Sequence, residues 1–278
     1  MPEIDPAAHL EQAHRPVVRV ANLQRGGPES DTVAVEEPLE IRVRGQAVAI
    51  TMRTPGHDQE LACGFLVSEG VARLPTDIVE VAHCLQVDES ARGNVLNVFL
   101  SPAASFDPAR LTRHVFGSSS CGICGKATIE SIQGDFQPAA DGPEVSVGQL
   151  AALPAVLQRA QQTFKATGGL HAAGLFTPDG KLLALREDVG RHNAVDKVIG
   201  WAFQAGMLPL RTTILLVSGR ASFEIMQKAL AAGIPVVAAV SAPSSLAVDF
   251  AVAGNQTLVG FLRGNRFNIY THPERIVA

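Results

Sequence analysis

Cysteine is scarce in this sequence, four residues in 278. A fold stapled by disulfides is therefore not expected, and the usage fits a reducing compartment. Long apolar runs are missing as well: the longest, at 213–217 and 234–240, fall far short of the roughly 18 residues that a membrane span requires. There is no excess of positive charge, with 23 basic against 27 acidic residues and a net charge of -4. General nucleic-acid binding then has no electrostatic basis, although a local basic pocket stays open. Residues 1–15 contain no apolar signal-peptide core, and no internal repeat or low-complexity tract is present. Cytoplasmic residence is the expectation, with neither membrane nor nucleic acid as a partner.

What is present is an ordinary supply of core, 46% hydrophobic and 18% charged residues, in a chain long enough for two domains. Residues 1–15 carry acidic residues and prolines without a period and read as a disordered arm. Residues 16–143 read as a small α+β domain. Its β-rich runs at 17–23, 32–35, 39–43 and 47–52 precede a helix at 58–69, with Leu61, Phe65 and Leu66 on one stripe and Gly70 as its stop. Strand-like runs at 78–87 and 94–100 complete it. Arg44-Gly45-Gln46 reads as a tight hairpin turn, and Cys63, inside the helix, as a small buried hydrophobe. From 144 to 278 strands and helices alternate. Pro154 marks the first turn of a helix running to about 166. Strands follow at 172–176, 182–186, 212–217, 235–239 and 256–261, with helices at 193–204, 223–232 and 245–253. That alternation predicts a three-layer α/β domain on a largely parallel or mixed sheet.

Two of the cysteines stand three residues apart in Ser118-Ser119-Ser120-Cys121-Gly122-Ile123-Cys124-Gly125-Lys126. Gly122 and Gly125 allow positive φ around the thiols. Lys126 and the serines favour the thiolate, which is the nucleophilic form. A structural zinc needs a second ligand pair, but Cys63 and Cys84 are single and sit in apolar patterns, and His114 leaves the set one short. A thioredoxin-like dithiol belongs at a helix start after a strand, whereas serines and glycines surround this one. The pattern points to an exposed nucleophilic cysteine near the end of the first domain.

In α/β sheets ligands collect at the carboxyl ends of strands, where loops enter helix N-termini. Polar residues gather there. Glu187-Asp188-Val189-Gly190-Arg191-His192-Asn193, Ser218-Gly219-Arg220-Ala221-Ser222 and Ser241-Ala242-Pro243-Ser244-Ser245 each follow a strand and could take phosphate oxygens on backbone N–H groups and arginines. Ordinary helix capping accounts for any one of them singly. Gly260-Phe261-Leu262-Arg263-Gly264-Asn265-Arg266-Phe267 reads as two strand ends joined by a turn through Gly264-Asn265, presenting two arginines and a ring that could stack on a flat heterocycle. A hairpin with solvated arginines reads the same way.

Ser119 to Lys126, Gly168-Gly169-Leu170-His171-Ala172-Ala173, Arg186 to Lys197, Ser218-Gly219-Arg220 and the run from Gly260 to Tyr270, in this order, resemble the formate dehydrogenase accessory sulfurtransferases, the FdhD family. The resemblance covers about 32 to 270. It implies a sulfurtransferase that accepts persulfide sulfur from a cysteine desulfurase. The sulfur passes to the molybdenum or tungsten bis-guanine-dinucleotide cofactor, molybdenum bis(molybdopterin guanine dinucleotide), of formate dehydrogenase. By position, Cys121 would hold the persulfide and Cys124 would assist or relay. Phe261, Leu262, Arg263, Gly264, Asn265 and Arg266, with Ser218, Gly219, Arg220, Arg191 and His192, would meet the cofactor, which is bound as substrate, and no resident metal is expected. The resemblance also implies a cytidine-deaminase-like second domain and a homodimer.

Two other readings compete. A hydrolytic zinc deaminase needs His-x-Glu or Cys-x-Glu at one helix start and Pro-Cys-x-x-Cys at the next, and neither stands at the helix starts near Arg191 and Arg220. A non-catalytic cofactor-binding chaperone with a redox cysteine pair shares every feature outside the Cys-x-x-Cys stretch.

Overall fold

The computed structural model describes residues 11–104, 106–107 and 136–278. The chain opens on a ribbon of β1 (Gln12–Ala21) and β2 (Gln24–Ala34), joined through Asn22 and Leu23, both with positive φ. Residues 12–15, expected in a disordered arm, are thus the start of β1. Leu23, expected in a strand, is the exposed tip of the turn. Residues 24–31, between the runs expected at 17–23 and 32–35, also belong to β2: Gln24, Arg25 and 28–31 pair with β1, and the register shifts where Gly26 and Gly27 intervene. A two-stranded ribbon has only edges, and an edge tolerates proline. Arg19 reaching Glu29 and Asp31 across the strands adds to the pairing.

A four-stranded sheet follows in the order β4-β3-β6-β5, built from β3 (Glu37–Val43), β4 (Gln46–Arg53), β5 (Ile78–His83) and β6 (Val95–Leu100). Arg44 and Gly45, both left-handed, make the predicted two-residue hairpin turn. Helix α1 (Asp58–Ser68) lies against this sheet and ends at Gly70 with φ 72°.

After β7 (Val145–Ser146), helix α2 spans Val147–Ala160. Pro154, expected in its first turn, is in its interior. The start is set instead by a capping box: Ser146 Oγ accepts from the Gln149 N–H at 3.1 Å, while Gln149 accepts from the Ser146 N–H. Leu150, Leu153 and Leu157 form its buried stripe. Helix α3 (Gln162–Thr167) continues the chain, and its first N–H groups are taken by the buried Glu187 carboxylate.

The remaining elements build a six-stranded mixed sheet in the order β13-β12-β11-β10-β8-β9. They are β8 (His171–Phe176), β9 (Leu182–Asp188), α4 (Arg191–Gln204), β10 (Ile214–Val217), α5 (Phe223–Ala231), β11 (Val236–Ala239), α6 (Ser245–Ala253), β12 (Thr257–Arg263) and β13 (Arg266–Thr271). The short β14 (Ile276–Val277) returns to pair with β7. Strand side chains alternate between two cores. Ile214, Leu216, Val236 and Ala238 join the leucines of α2, whereas Leu215, Val217, Val237 and Ala239 join α4, α5 and α6. Three layers result, as the alternation predicted.

The second of these cores does not stop at this sheet. It continues through α4 and α1 into Leu39, Ile41 and Val43 of β3. Helices α1 and α4 meet backbone to backbone. A Cβ on Gly64 would lie 1.8 Å from the Asp196 carbonyl oxygen, and one on Gly200 would lie 1.8 Å from that of Glu60. The pairings 64 with 196 and 200 with 60 make the helices antiparallel. Buried charges ring this contact. Lys197 pairs with Asp188 at 2.8 Å, both side chains fully buried, and also donates to the Thr54 carbonyl at 2.9 Å. Lys228 binds Asp196, which accepts from Ser68 Oγ at 2.8 Å. Arg186 forks onto Glu60. Burial pushes the Glu60 carboxyl up, but the hydrogen bonds from Arg186 and His57 outweigh it and hold the carboxyl below its ordinary value.

Two outcomes test this contact. Gly64→Ala gains about 1 kcal/mol of helix propensity but forces the helices apart, for a net loss of about 2 kcal/mol in urea unfolding; Gly148→Ala, where a Cβ meets nothing within 4 Å, should lose nothing. Lys197→Met strands Asp188 without its partner and should cost about 3–5 kcal/mol, and adding Asp188→Asn should recover part of the loss.

Candidate functional site

Strands β9, β10, β11 and β12 all run the same way, because β8 is antiparallel to both β9 and β10 and the remaining two pairs are parallel. Their carboxyl ends therefore open on one edge of the sheet. Four turns sit there: Val189-Gly190 before α4, Ser218 to Ser222 before α5, Val240 to Ser244 before α6, and Gly264-Asn265 between β12 and β13.

Each turn touches the next. Gly219 packs beside His171 and Arg191, close enough that a Cβ would be 3.4 Å from His171 Nδ1 and 3.8 Å from the Arg191 Cβ. The Ser218 N–H donates to the Ala172 carbonyl, and its hydroxyl accepts from the Ala172 N–H, both at 2.9 Å. Ala221 bridges to Pro243, and the Ser244 N–H donates to the Ala221 carbonyl. Arg263 Nε donates to the Val240 carbonyl at 3.1 Å, and the Phe261 N–H to that of Ser241 at 3.0 Å. Ser218, Gly219, Arg220, Arg191, His192, Phe261, Arg263, Gly264, Asn265 and Arg266 are thus brought onto one continuous rim.

A bulge gives this rim its aromatic ring. Between Gly260 and Arg263 the β12–β13 register slips by one residue, and Phe261 takes φ 54°, an uncommon conformation for a bulky side chain. Phe261 and Arg263 are left exposed, while Leu262 is fully buried in the α2-side core. Leu262, expected among the cofactor contacts, can offer only backbone there. Phe267 packs against the same core, so Phe261 is the ring open to a ligand.

The sequence reading missed the partners of His192. Its Nε2 lies 3.3 Å from Ser222 Oγ and 3.6 Å from a Glu224 carboxylate oxygen. The neighbouring His192, then the Ser222 hydroxyl and the Glu224 backbone N–H, take the Glu224 carboxyl down to about 2, against an opposing push from burial. Burial, followed by the charge of Arg191, holds His171 below its ordinary value. One signal was available in the sequence: Glu224 is an acid in the first turn of α5, where an acid also suits the helix dipole. Neither Gly190 nor Ser222 caps its helix with a side chain, so backbone N–H groups of α4 and α5 face the rim.

A second concavity, of about 550 Å³, lies around Arg53, His57, Asp58, Glu60, His83 and Arg92. Its main charges satisfy each other: Arg53 donates to both Asp58 oxygens at 3.0 Å and to Glu37, Asn94 and the Gly93 carbonyl. Among the described residues no group of three or more His, Cys, Asp or Glu is placed to hold a metal ion, and none of the helices is long and apolar enough to cross a membrane. Cys63 is buried, as predicted, and burial pushes its thiol up to about 11. Cys121 and Cys124 lie outside the described residues.

Residues 34–277 match the model of the FdhD/NarQ family. The chain is 54% identical over 253 residues to a sulfur carrier protein FdhD of Mycobacterium tuberculosis, covering 88% of this chain and 92% of that one. It is 51% identical over 264 residues to that of Nocardia farcinica, covering 93% of each. Its fold matches, with a TM-score of 0.75 and 24% identity, the crystal structure of a protein from Desulfotalea psychrophila assigned as a formate dehydrogenase accessory protein, covering 96% of this chain and 99% of that one. The chain is a member of the FdhD/NarQ family.

Proposed function

We propose that this protein is a sulfurtransferase in formate dehydrogenase maturation, carrying sulfur as a persulfide on Cys121 from a cysteine desulfurase to the molybdenum or tungsten bis-guanine-dinucleotide cofactor. Membership of a family whose relatives are named sulfur carrier proteins supports the carrier role. The Cys121 thiolate would take the outer sulfur of the donor's persulfide and the donor's thiol would leave, so no net oxidation occurs. Cys124 assists or relays.

The observation that carries the cofactor half of the reading is the continuous rim. Arg220, Arg263 and Arg266 are exposed along it, the N-termini of α4 and α5 face it, and Phe261 offers a ring. Such a surface suits pyrophosphate flanked by a flat heterocycle. On this reading the partners are a cysteine desulfurase, the catalytic subunit of formate dehydrogenase and a second copy of this chain. On this reading the C-terminal three layers are a cytidine-deaminase-like domain whose helix starts near Arg191 and Arg220 lack the zinc-deaminase motifs.

Cys121→Ala should abolish both the gain of one sulfur atom, seen by intact mass after incubation with a desulfurase and cysteine, and the activation of formate dehydrogenase, with thermal unfolding unchanged. Cys124→Ala should lose less. Normal activation by Cys121→Ala would favour a passive chaperone. Arg263→Ala should weaken binding of guanosine diphosphate roughly ten- to a hundredfold by calorimetry, the worth of one charge-assisted hydrogen bond to phosphate. Equal binding would make Arg263 an ordinary solvated hairpin residue.

A further inference from the structure

The ribbon of β1 and β2 has two unlike faces. Residues opposite one another across an antiparallel pair share a face, and neighbours along a strand alternate. Arg15, Arg19, Glu29 and Asp31 therefore lie on one side, where Arg19 bridges to both acids. Pro16, Val18 and Val20 lie on the other with Pro28, and Leu23 stands at the tip. All five are exposed, and none of the ribbon's residues belongs to either core. A two-stranded ribbon without a covered apolar face is marginal at best in water. Sorting charge to one side and valine to the other is the pattern of strands that have a surface to pack on.

A second uncovered face lies on the four-stranded sheet. Leu39, Ile41, Leu96 and Val98 turn inward to the core shared with α1. The alternate positions turn away from it: Ile50 opposite Glu40, Met52 opposite Pro38, and Phe99 opposite Glu80. Ile50, Met52 and Phe99 are exposed, so within one chain neither apolar face covers the other. Opposite charges accompany the two. Arg25, opposite Val20, is on the apolar side of the ribbon and Glu80 is beside Phe99 on the sheet, and among the described residues neither side chain has a partner.

Area decides what covers them. The ribbon's apolar side, about 30 Å by 10 Å at strand spacing, offers about 300 Å². Two ribbons stacked on each other would bury about 600 Å² in all, half of what a stable dimer needs, and would leave the sheet bare. A ribbon laid on the sheet of a second copy, and returned by that copy, uses four such surfaces, about 1,200 Å². Every copy carries both halves, so the exchange closes after two chains and leaves no half open. We infer that β1–β2 is an arm that clasps the four-stranded sheet of a second copy, laying Val18, Val20 and Leu23 on Ile50, Met52 and Phe99 and bringing Arg25 toward Glu80. This rests on the second copy among the partners proposed above and assigns it a surface.

Sedimentation and cross-linking of the full-length protein test it. The parent should sediment as a dimer at micromolar concentration. Val18→Asp combined with Val20→Asp should keep the circular dichroism of the parent, since neither side chain is part of a core. The same pair should raise the dimer dissociation constant at least about a hundredfold, because the contact would bury carboxylates without partners. Benzoylphenylalanine in place of Val18, in dimers mixed from unlabelled and isotope-labelled protein, should cross-link to peptides from 37–53 or 78–100 of the other copy, read by mass spectrometry. An unchanged dissociation constant overturns the inference. So does a dimer whose cross-links go to the other ribbon, to another surface, to the same chain or nowhere; each of these results leaves the second-copy reading standing. A parent that sediments as a monomer removes that reading, and the inference falls with it.

Discussion

Everything in this protein hangs on two helices that touch without side chains between them. Gly64 and Gly200 each lie against the other helix's backbone, and glycine in a helix interior is otherwise a loss of about 1 kcal/mol per residue. The close approach offsets it by bringing α1, and the sheet behind it, into one core with α4. Charge is then taken into the same contact: Lys197 with Asp188, Lys228 with Asp196, Arg186 with Glu60. Buried pairs of this kind are weak evidence for stability, since burial of each ion costs nearly as much as the pair returns. They do exclude other packings, because a shifted helix would leave an ion unpaired.

That registry reaches the candidate rim. Asp188, held by Lys197 and by the Thr54 N–H, accepts in turn from the Gly190 N–H at 2.7 Å and from the Asn193 amide at 3.0 Å. Gly190 and Asn193 bracket Arg191 and His192. The β9–α4 turn is therefore positioned from beneath by the joint between the two sheets. The rim residues that face solvent sit on a scaffold whose hydrogen bonds are made below them, which is the arrangement a site needs to be in place before its ligand arrives.

Much of this was legible in the residues. The alternation after 144, the turn at Gly264-Asn265 and the polar clusters after strands predicted three layers with a loaded edge, because period and turn chemistry are local properties. Three features were not. The start of α2 was misplaced because Pro154 suits a first turn, while the capping box at Ser146 and Gln149, also plain in the sequence, satisfies two backbone donors and decides the matter. The strand through Gly26-Gly27-Pro28 was hidden because pairing in a lone ribbon overrides residue preference. Glu224 was read as nothing at all, since its partner His192 is 32 residues away and meets it only when α4 and α5 pack side by side.

The bulge at Phe261 shows why the rim could not be read residue by residue. Strict alternation from Val259, which belongs to the α2-side core, would put Phe261 and Arg263 into that core and Leu262 toward the other face. The extra residue reverses this: Leu262 joins Val259 inside, and the ring and the guanidinium turn out. A left-handed aromatic residue is held at a cost of order 1–3 kcal/mol. The hydrogen bonds from the Phe261 N–H to Ser241 and from Arg263 to Val240 tie the bulge to the neighbouring turn and keep it there. A strand that ended regularly would be more stable and would present a leucine. The irregular one presents a ring and a cation to the same solvent edge that the α4 and α5 turns face, so the strain is local to the residues proposed above to meet a heterocycle with a phosphate tail.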